Sequence, residues 1–309
     1  MKRIQAYAPA SIGNVAAGFD VMGAALAPLD GSPLGDRVTL TEASTPAFEA
    51  SGAFAHRLPA DPAQNLVLKA KALFEEAYGA LPPFAIHLDK ALPVNSGLGS
   101  SAASIVAALV AFNAWVGEPY GPGDLLALAG RAEATVSGSV HFDNVAPSLL
   151  GGLRLVVPGG KARALPFPAD LAFVVLRPDL EVATKDARAA LPTDVPLADA
   201  VAFGANLAAF VQALHAQDSA LLAASFKDVL AEPHRAGLVK GFREVQAAAL
   251  EAGALGCSLS GSGPAVFAVA EEGEEARAVA DAMVAAFHVA GVRAEALLCG
   301  LDAQGARIL

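Results

Sequence analysis

Polar and apolar positions alternate from Arg3 to Ala8 and predict a strand. Arg37 to Glu42 predicts another, bounded by Gly31, Pro33 and Gly35. From Asn65 to Tyr78 the apolar residues Leu66, Leu73 and Ala77 recur at helical spacing, and Gly79 supplies a stop. Phe84 to Leu88 reads as a short strand. A glycine-rich turn leads from it into the most apolar helix, from about Ser100 to Val116. Apolar residues lie all round that helix, which predicts burial on every side. Gly117 and Pro119 end it, and Leu125 to Ala134 is a further helix.

Gly151-Gly152 punctuates the chain before a strand at Leu153 to Val157, and Phe173 to Leu176 is another strand. Ala-rich helices follow at about 198–215, 219–229 and 240–252. After them come strands at Ser258–Leu259 and Val266–Ala270, a helix at 274–287 and a last strand near Ala294–Leu298. Strands and helices mix without regular alternation. That predicts two α+β domains, 1–160 and 161–309, rather than one doubly wound sheet.

The chain has 309 residues, 54% hydrophobic and 17% charged, a balance that supplies buried cores and excludes general disorder. Its 21 basic and 31 acidic residues leave a formal charge of −10, so nucleic acid and anionic membrane are poor partners. The mean hydropathy of +0.47 comes largely from alanine. The apolar run Ala102 to Val116 falls short of the ~20 residues a membrane span needs. The start, MKRIQAYAPAS, has two basic residues but no apolar stretch behind them, so a signal peptide is not expected. Cys257 and Cys299 are too few for a disulfide framework or the usual zinc spacing. These features together predict a soluble, cytoplasmic protein.

The segment Pro93-Val94-Asn95-Ser96-Gly97-Leu98-Gly99-Ser100-Ser101-Ala102-Ala103 directly precedes the apolar helix. Its glycines let the backbone turn tightly and expose N–H groups, and the helix N-terminus adds unpaired donors and a positive dipole end. Ser100 and Ser101 add hydroxyls for a phosphate, a metal ion or, as the alternative, a helix cap. A Walker G-x-x-x-x-G-K-[ST] pattern is absent. The segment Gly97 to Ala102 matches a loose dinucleotide fingerprint. That reading fails because Pro93, Asn95 and Ser96 separate it from the strand and Glu118 lies in a turn.

Three other segments are candidates. Ala10 to Asp20 places Asn14 and Asp20 in a loop of small residues. Ser139 to Pro147 crowds His141, Asp143 and Asn144 into four positions of an apolar neighbourhood. Leu259-Ser260-Gly261-Ser262-Gly263-Pro264 reads by itself as a hairpin turn. No G-x-S-x-G elbow accompanies His141, which argues against a serine hydrolase. No H-x-x-x-H or C-x-x-C is present, so no zinc site is expected.

In this order the motifs resemble those of the GHMP small-molecule kinases, and within them the homoserine kinases, along nearly the whole chain. The strings that carry the resemblance include Gly18-Phe19-Asp20-Val-Met-Gly23, Leu34-Gly35-Asp36 and His141-Phe-Asp143-Asn144-Val-Ala-Pro147. Ala231-Glu232-Pro233-His234-Arg235 and the ending Leu301 to Arg307 complete it. The resemblance implies a ribosomal-protein-like N-terminal domain and a ferredoxin-like C-terminal domain, with ATP and substrate between them. It implies that Pro93 to Ala103 wrap the ATP phosphates, with Asn65 near the adenine. Ser101 and Glu133 would hold Mg²⁺. Asn14, Asp20 and Asn144 would meet the amino and hydroxyl ends of L-homoserine, with His141 also in the substrate site. Thr184, Arg188 and Arg235 would surround its carboxylate. A homodimer is a further expectation of the family.

These implied roles agree with the chemistry of a zwitterion. A carboxylate such as Asp20 suits an ammonium group, and arginine offers paired donors to a carboxylate. Mevalonate and shikimate lack the ammonium group, so kinases for other small alcohols rank second. A nucleotide-binding protein without turnover ranks third. For the hydroxyl proton, an ordinary carboxylate near pKa 4 is a weak base. The resemblance implies two answers: Asp143 as general base, in the segment where relatives such as mevalonate kinase carry a catalytic aspartate, or positioning alone. The preferred expectation is that Asn144 orients the hydroxyl, with Asp143 supporting the loop.

Overall fold

The computed structural model describes residues 2–309. The first half forms β1 (Arg3–Pro9), β2 (Ser11–Gly13), β3 (Met22–Pro28), β4 (Gly35–Glu42) and β5 (Ala47–Ser51). Then follow α1 (Leu66–Tyr78), β6 (Phe84–Asp89), α2 (Ser100–Trp115), α3 (Pro122–Ser137) and α4 (Val145–Leu150). The second half opens with β7 (Leu153–Val157), β8 (Lys161–Leu165), β9 (Leu171–Pro178), α5 (Thr184–Ala189) and α6 (Leu197–Ala216). It continues with α7 (Ser219–Ser225), α8 (Glu232–Arg235), α9 (Phe242–Glu251), β10 (Gly256–Leu259) and β11 (Val266–Glu271). It closes with α10 (Glu274–Val289), β12 (Ala294–Leu301) and β13 (Arg307–Ile308).

Two sheets organise these elements, giving a mixed α+β architecture. The smaller has the order β13-β1-β4-β6-β5, and α2 packs on its β1 and β4 with α1, α3 and α4 around it. Ala102, Ile105, Val106, Leu109 and Phe112 of α2 are all buried there, so the helix is enclosed as its composition predicts. Asn65 starts α1 by accepting the Val67 N–H at 2.9 Å, and Gly79 ends it at φ +106°.

The larger sheet has the order β10-β11-β9-β12-β3-β7-β8, with β2 paired to β3. β3 comes from the first half yet pairs with β12, Leu26 opposite Leu301. Its Met-Gly-Ala-Ala-Leu-Ala-Pro sequence lacks alternation because Met22 to Leu26 are buried throughout, which hides a strand from a period-two reading. The β7–β8 hairpin spans residue 160. A core cluster containing Ile12, Met22 and Leu98 together with Phe173, Phe210 and Phe267 locks the two halves together.

Two further differences have local causes. The helix expected over 219–229 ends at Ser225, because Asp228 accepts the N–H groups of Leu230, Ala231 and Glu232 and turns the chain into α8. A second long apolar run, α6, is long and apolar enough by length and composition to cross a membrane, with 17% of that stretch buried. Its C-terminal part places Phe210, Ala213 and Leu214 in the core between the halves.

Candidate active site

The loop between β6 and α2 is held in an open, strained path. Asn95, Gly97 and Gly99 all have positive φ, at +56°, +81° and +62°. A Cβ on Gly99 would lie 2.0 Å from Ser11 Oγ, and one on Gly97 would lie 2.8 Å from the Ser260 carbonyl oxygen. Glycine is thus required at both positions. Gly99 is the N-cap of α2, and no side chain caps the helix. The capping alternative for the serines does not hold. Ser100 Oγ donates to the Leu92 carbonyl at 3.2 Å, and Ser101 Oγ donates to Glu133 Oε1 at 2.8 Å. The N-terminal donors of α2 are left for an anion.

The turn between β10 and β11 is more than a hairpin connection. Ser260 Oγ donates to the Gly97 carbonyl, Ala265 N–H to the Ser96 carbonyl and Gly261 N–H to the Gly13 carbonyl. One turn therefore ties the glycine-rich loop to the N-terminal loop.

A cleft of about 380 Å³ opens beside these loops. Asn65, Val94, Asn95, Ser96, Gly97, Gly99, Ser100 and Ser101 line it, as does Glu133. So do Asn14, Asp20, His141, Asp143, Asn144, Thr184, Arg188 and Arg235. The remaining four expected nucleotide-loop residues lie elsewhere. Leu98 sits in the core between the halves, Ala102 and Ala103 are buried positions of α2 in the core of the smaller sheet, and Pro93 borders a neighbouring depression. Lys69 also lines the cleft and was not singled out in the sequence. Its signal was there: it follows Asn65 by four residues, so the two share a face at the start of α1.

The N-terminal loop is the most strained part of the site. Asn14, Val15, Ala16 and Asp20 have positive φ, a conformation costly for side chains with a Cβ. Asn14 holds the path by accepting the Asp20 N–H at 3.1 Å and donating to the Gly261 carbonyl at 3.3 Å. Asp20 then meets Arg188 through two bonds, 2.9 and 3.1 Å. Arg188 also contacts His141 Nε2 at 2.9 Å. Arg235 is 4% exposed and donates to the carbonyls of Ala187 and Gly261. Both guanidiniums lie against the Phe19 ring, at 5.7 and 5.3 Å, so one aromatic face holds two like charges in place. Burial lowers the His141 pKa; Asp20 opposes that and the two arginines reinforce it.

Asp143 and Asn144 lie at the start of α4. A Cβ on Gly13 would lie 2.3 Å from Asp143 Oδ2, so β2 presses against this carboxyl. Asn144 Nδ2 donates to Asp143 Oδ2 at 3.0 Å, and Asn144 Oδ1 accepts from Ser11 Oγ at 3.0 Å. The amide is oriented from both ends. Burial, then the charges of Asp20 and Glu133, push the Asp143 pKa up to about 7. The expectation of an ordinary carboxylate at this position is thereby corrected. Neither the burial nor the approach of Asp20 and Glu133 is readable from the sequence, because it is the fold that brings the three carboxyls together.

Ser101 and Glu133 offer a hydroxyl and a carboxylate, hard oxygen donors suited to Mg²⁺. Burial raises the Glu133 pKa, while Ser101 and Lys90 favour its charged form. A divalent cation would favour that form further. Among the described residues no group of three His, Cys, Asp or Glu side chains could hold a metal alone. That fits an ion held mainly by phosphates and water with few protein ligands.

Comparisons with known proteins bear on the family and the fold. Residues 65–152 match the GHMP kinases N terminal domain, and residues 210–289 match the GHMP kinases C terminal domain. A homoserine kinase from Cytophaga hutchinsonii is 37% identical, with a TM-score of 0.91, covering 100% of this chain and 98% of its own. The L. major mevalonate kinase in complex with R-mevalonate is 15% identical, with a TM-score of 0.68 and 96% of both chains covered. The Streptococcus pneumoniae phosphomevalonate kinase is 13% identical, with a TM-score of 0.69, covering 97% of this chain and 99% of its own. These last two share the fold. With both domains matched and a 37%-identical relative along the full length, the chain belongs to the GHMP kinases, a phosphotransferase family.

Proposed function

We propose that the protein transfers the γ-phosphate of ATP to the side-chain hydroxyl of L-homoserine, giving O-phospho-L-homoserine for threonine synthesis. The observation that carries this reading is the two-bond Asp20–Arg188 pair in the cleft wall. Each partner is the complement of one end of an amino acid. The ammonium group of a zwitterion would take Asp20, and its carboxylate would take Arg188, with Arg235 and Thr184 beside it. Mevalonate offers only a carboxylate and would leave Asp20 without an ammonium partner. The similarity to the Cytophaga hutchinsonii homoserine kinase supports the same choice.

For the phosphates, the amides of the Asn95–Ser101 loop other than Leu98, whose N–H donates to Ser96 Oγ, and the uncapped start of α2 supply the donors. Bound Mg²⁺, with Ser101 and Glu133 as its protein ligands, would neutralise phosphate charge. Asn144 uses one Nδ2 proton on Asp143, and the second is available to orient the substrate hydroxyl. Asp143 fixes the amide in this role. A second reading makes Asp143 the proton acceptor, and its pKa of about 7 favours that reading, because a general base works best near the operating pH.

ADP release measured with ATP, Mg²⁺ and a panel of homoserine, serine, threonine, mevalonate and shikimate tests the assignment. Homoserine should give by far the highest kcat/KM. Equal or faster turnover of mevalonate would refute it.

A further inference from the structure

Leu34, Gly35 and Asp36 do not line the cleft described above, although Lys90 and Ser104, which Asp36 holds, do. Asp36 is fully buried on β4, and Lys90, at the end of β6, is 2% exposed. The two form an ion pair at 2.5 Å. Asp36 Oδ1 accepts the N–H groups of Ala91 and Leu92, both at 3.0 Å. Asp36 Oδ2 accepts from Lys90 Nζ and, at 2.6 Å, from Ser104 Oγ. Lys90 Nζ also donates to the Ser100 carbonyl and to Ser104 Oγ, both at 2.9 Å. All three ammonium protons are used inside this network. Residues 90–92 lead into the glycine-rich loop, and Ser100 and Ser104 form the first turn of the helix that leaves it. One buried carboxylate therefore clamps both ends of the loop.

We infer that Asp36, Lys90 and Ser104 are a positioning unit that fixes the span of the phosphate loop, so that nucleotide affinity and phosphate alignment depend on it. The inference rests on the kinase reading of the cleft. A buried ion pair is a poor device for stability alone, because apolar residues of similar volume commonly do as well. Here the pair supplies directional bonds at both ends of a loop whose backbone has left-handed turns at Asn95, Gly97 and Gly99.

The test compares the full-length protein with Ser104→Ala and with the double variant Asp36→Asn/Lys90→Met, which removes both buried charges together. Folding is followed by circular dichroism, ATP and homoserine affinities by calorimetry, and turnover by ADP release. The double variant should stay folded and bind homoserine within about twofold of wild type, while its Kd and KM for ATP rise about tenfold or more and kcat falls. Ser104→Ala should move ATP binding the same way by about threefold. A folded double variant with unchanged ATP affinity overturns the inference. If the double variant does not fold, unchanged ATP affinity in Ser104→Ala overturns it. A wild-type protein that binds no ATP overturns both this inference and the kinase reading, whereas normal wild-type binding with insensitive variants overturns this inference alone.

Discussion

Replacing Asp143 by Asn should make the protein more stable, and increasingly so as pH rises. Burial, and after it the charges of Asp20 and Glu133, raise the pKa of this carboxyl from an ordinary 3.8 to about 7. The folded state therefore binds this proton more tightly than the unfolded state. The associated stability is fully present below pH 3.8 and is lost as pH rises through about 7. At about 1.4 kcal/mol per pH unit, that interval amounts to roughly 4 kcal/mol, as an order of magnitude. The new amide carries no charge, and its oxygen can still accept from Asn144 Nδ2. The stability difference between variant and wild type should thus grow by up to about 4 kcal/mol between pH 4 and pH 8. In a chain of this length that corresponds to several degrees of melting temperature, at about 2 °C per kcal/mol. Thermal unfolding of both proteins, without nucleotide or Mg²⁺, at half-unit pH steps measures it. A difference that stays constant across that range would refute the assignment of a buried, proton-retaining carboxyl at Asp143.

The other predictions concern turnover and binding. Asp143→Asn should lose less than about a hundredfold in kcat, below the usual upper range for a general base, while Asn144→Ala loses more. A larger loss in Asp143→Asn with normal substrate binding would make Asp143 the base. Arg188→Ala should weaken homoserine binding by about 10- to 100-fold, the worth of a charge-assisted contact, and leave ATP affinity unchanged in calorimetry. Ser101→Ala should raise the Mg²⁺ concentration for half-maximal activity several-fold while stability changes by less than about 1 kcal/mol, because Gly99 and not this serine is the N-cap. A collapse in melting temperature with unchanged Mg²⁺ dependence would contradict it.

The sequence carried the local elements well where one residue decides the outcome. Asn65 and Gly79 bound α1 as their chemistry demands, and the enclosed α2 follows from apolar residues on all its faces. The glycine-rich loop was legible for the same reason: only glycine tolerates the backbone at residues 97 and 99. What depends on distant pairing was hidden. β3 has no alternation to reveal it, since both its faces are covered, and its pairing with β12 links residues far apart in the chain. The site shows the same division. Asp20 and Arg188 were legible as single candidates, but their two-bond pair required the fold. The raised pKa of Asp143 arises from burial and from Asp20, far off in sequence, and Glu133, which sits on the preceding helix α3. Asp36 was visible only as part of a string, because its partners Lys90 and Ser104 lie on other elements.

The most direct test of the central claim is the identity of the product. The protein, ATP, Mg²⁺ and L-homoserine are incubated, and the phosphorus-31 spectrum is followed with proton coupling retained. The account predicts loss of the γ-phosphate signal, growth of ADP, and a new phosphomonoester resonance split by the two protons of the homoserine side-chain methylene. Release of inorganic phosphate alone, or no reaction with homoserine while another alcohol is phosphorylated, would contradict it.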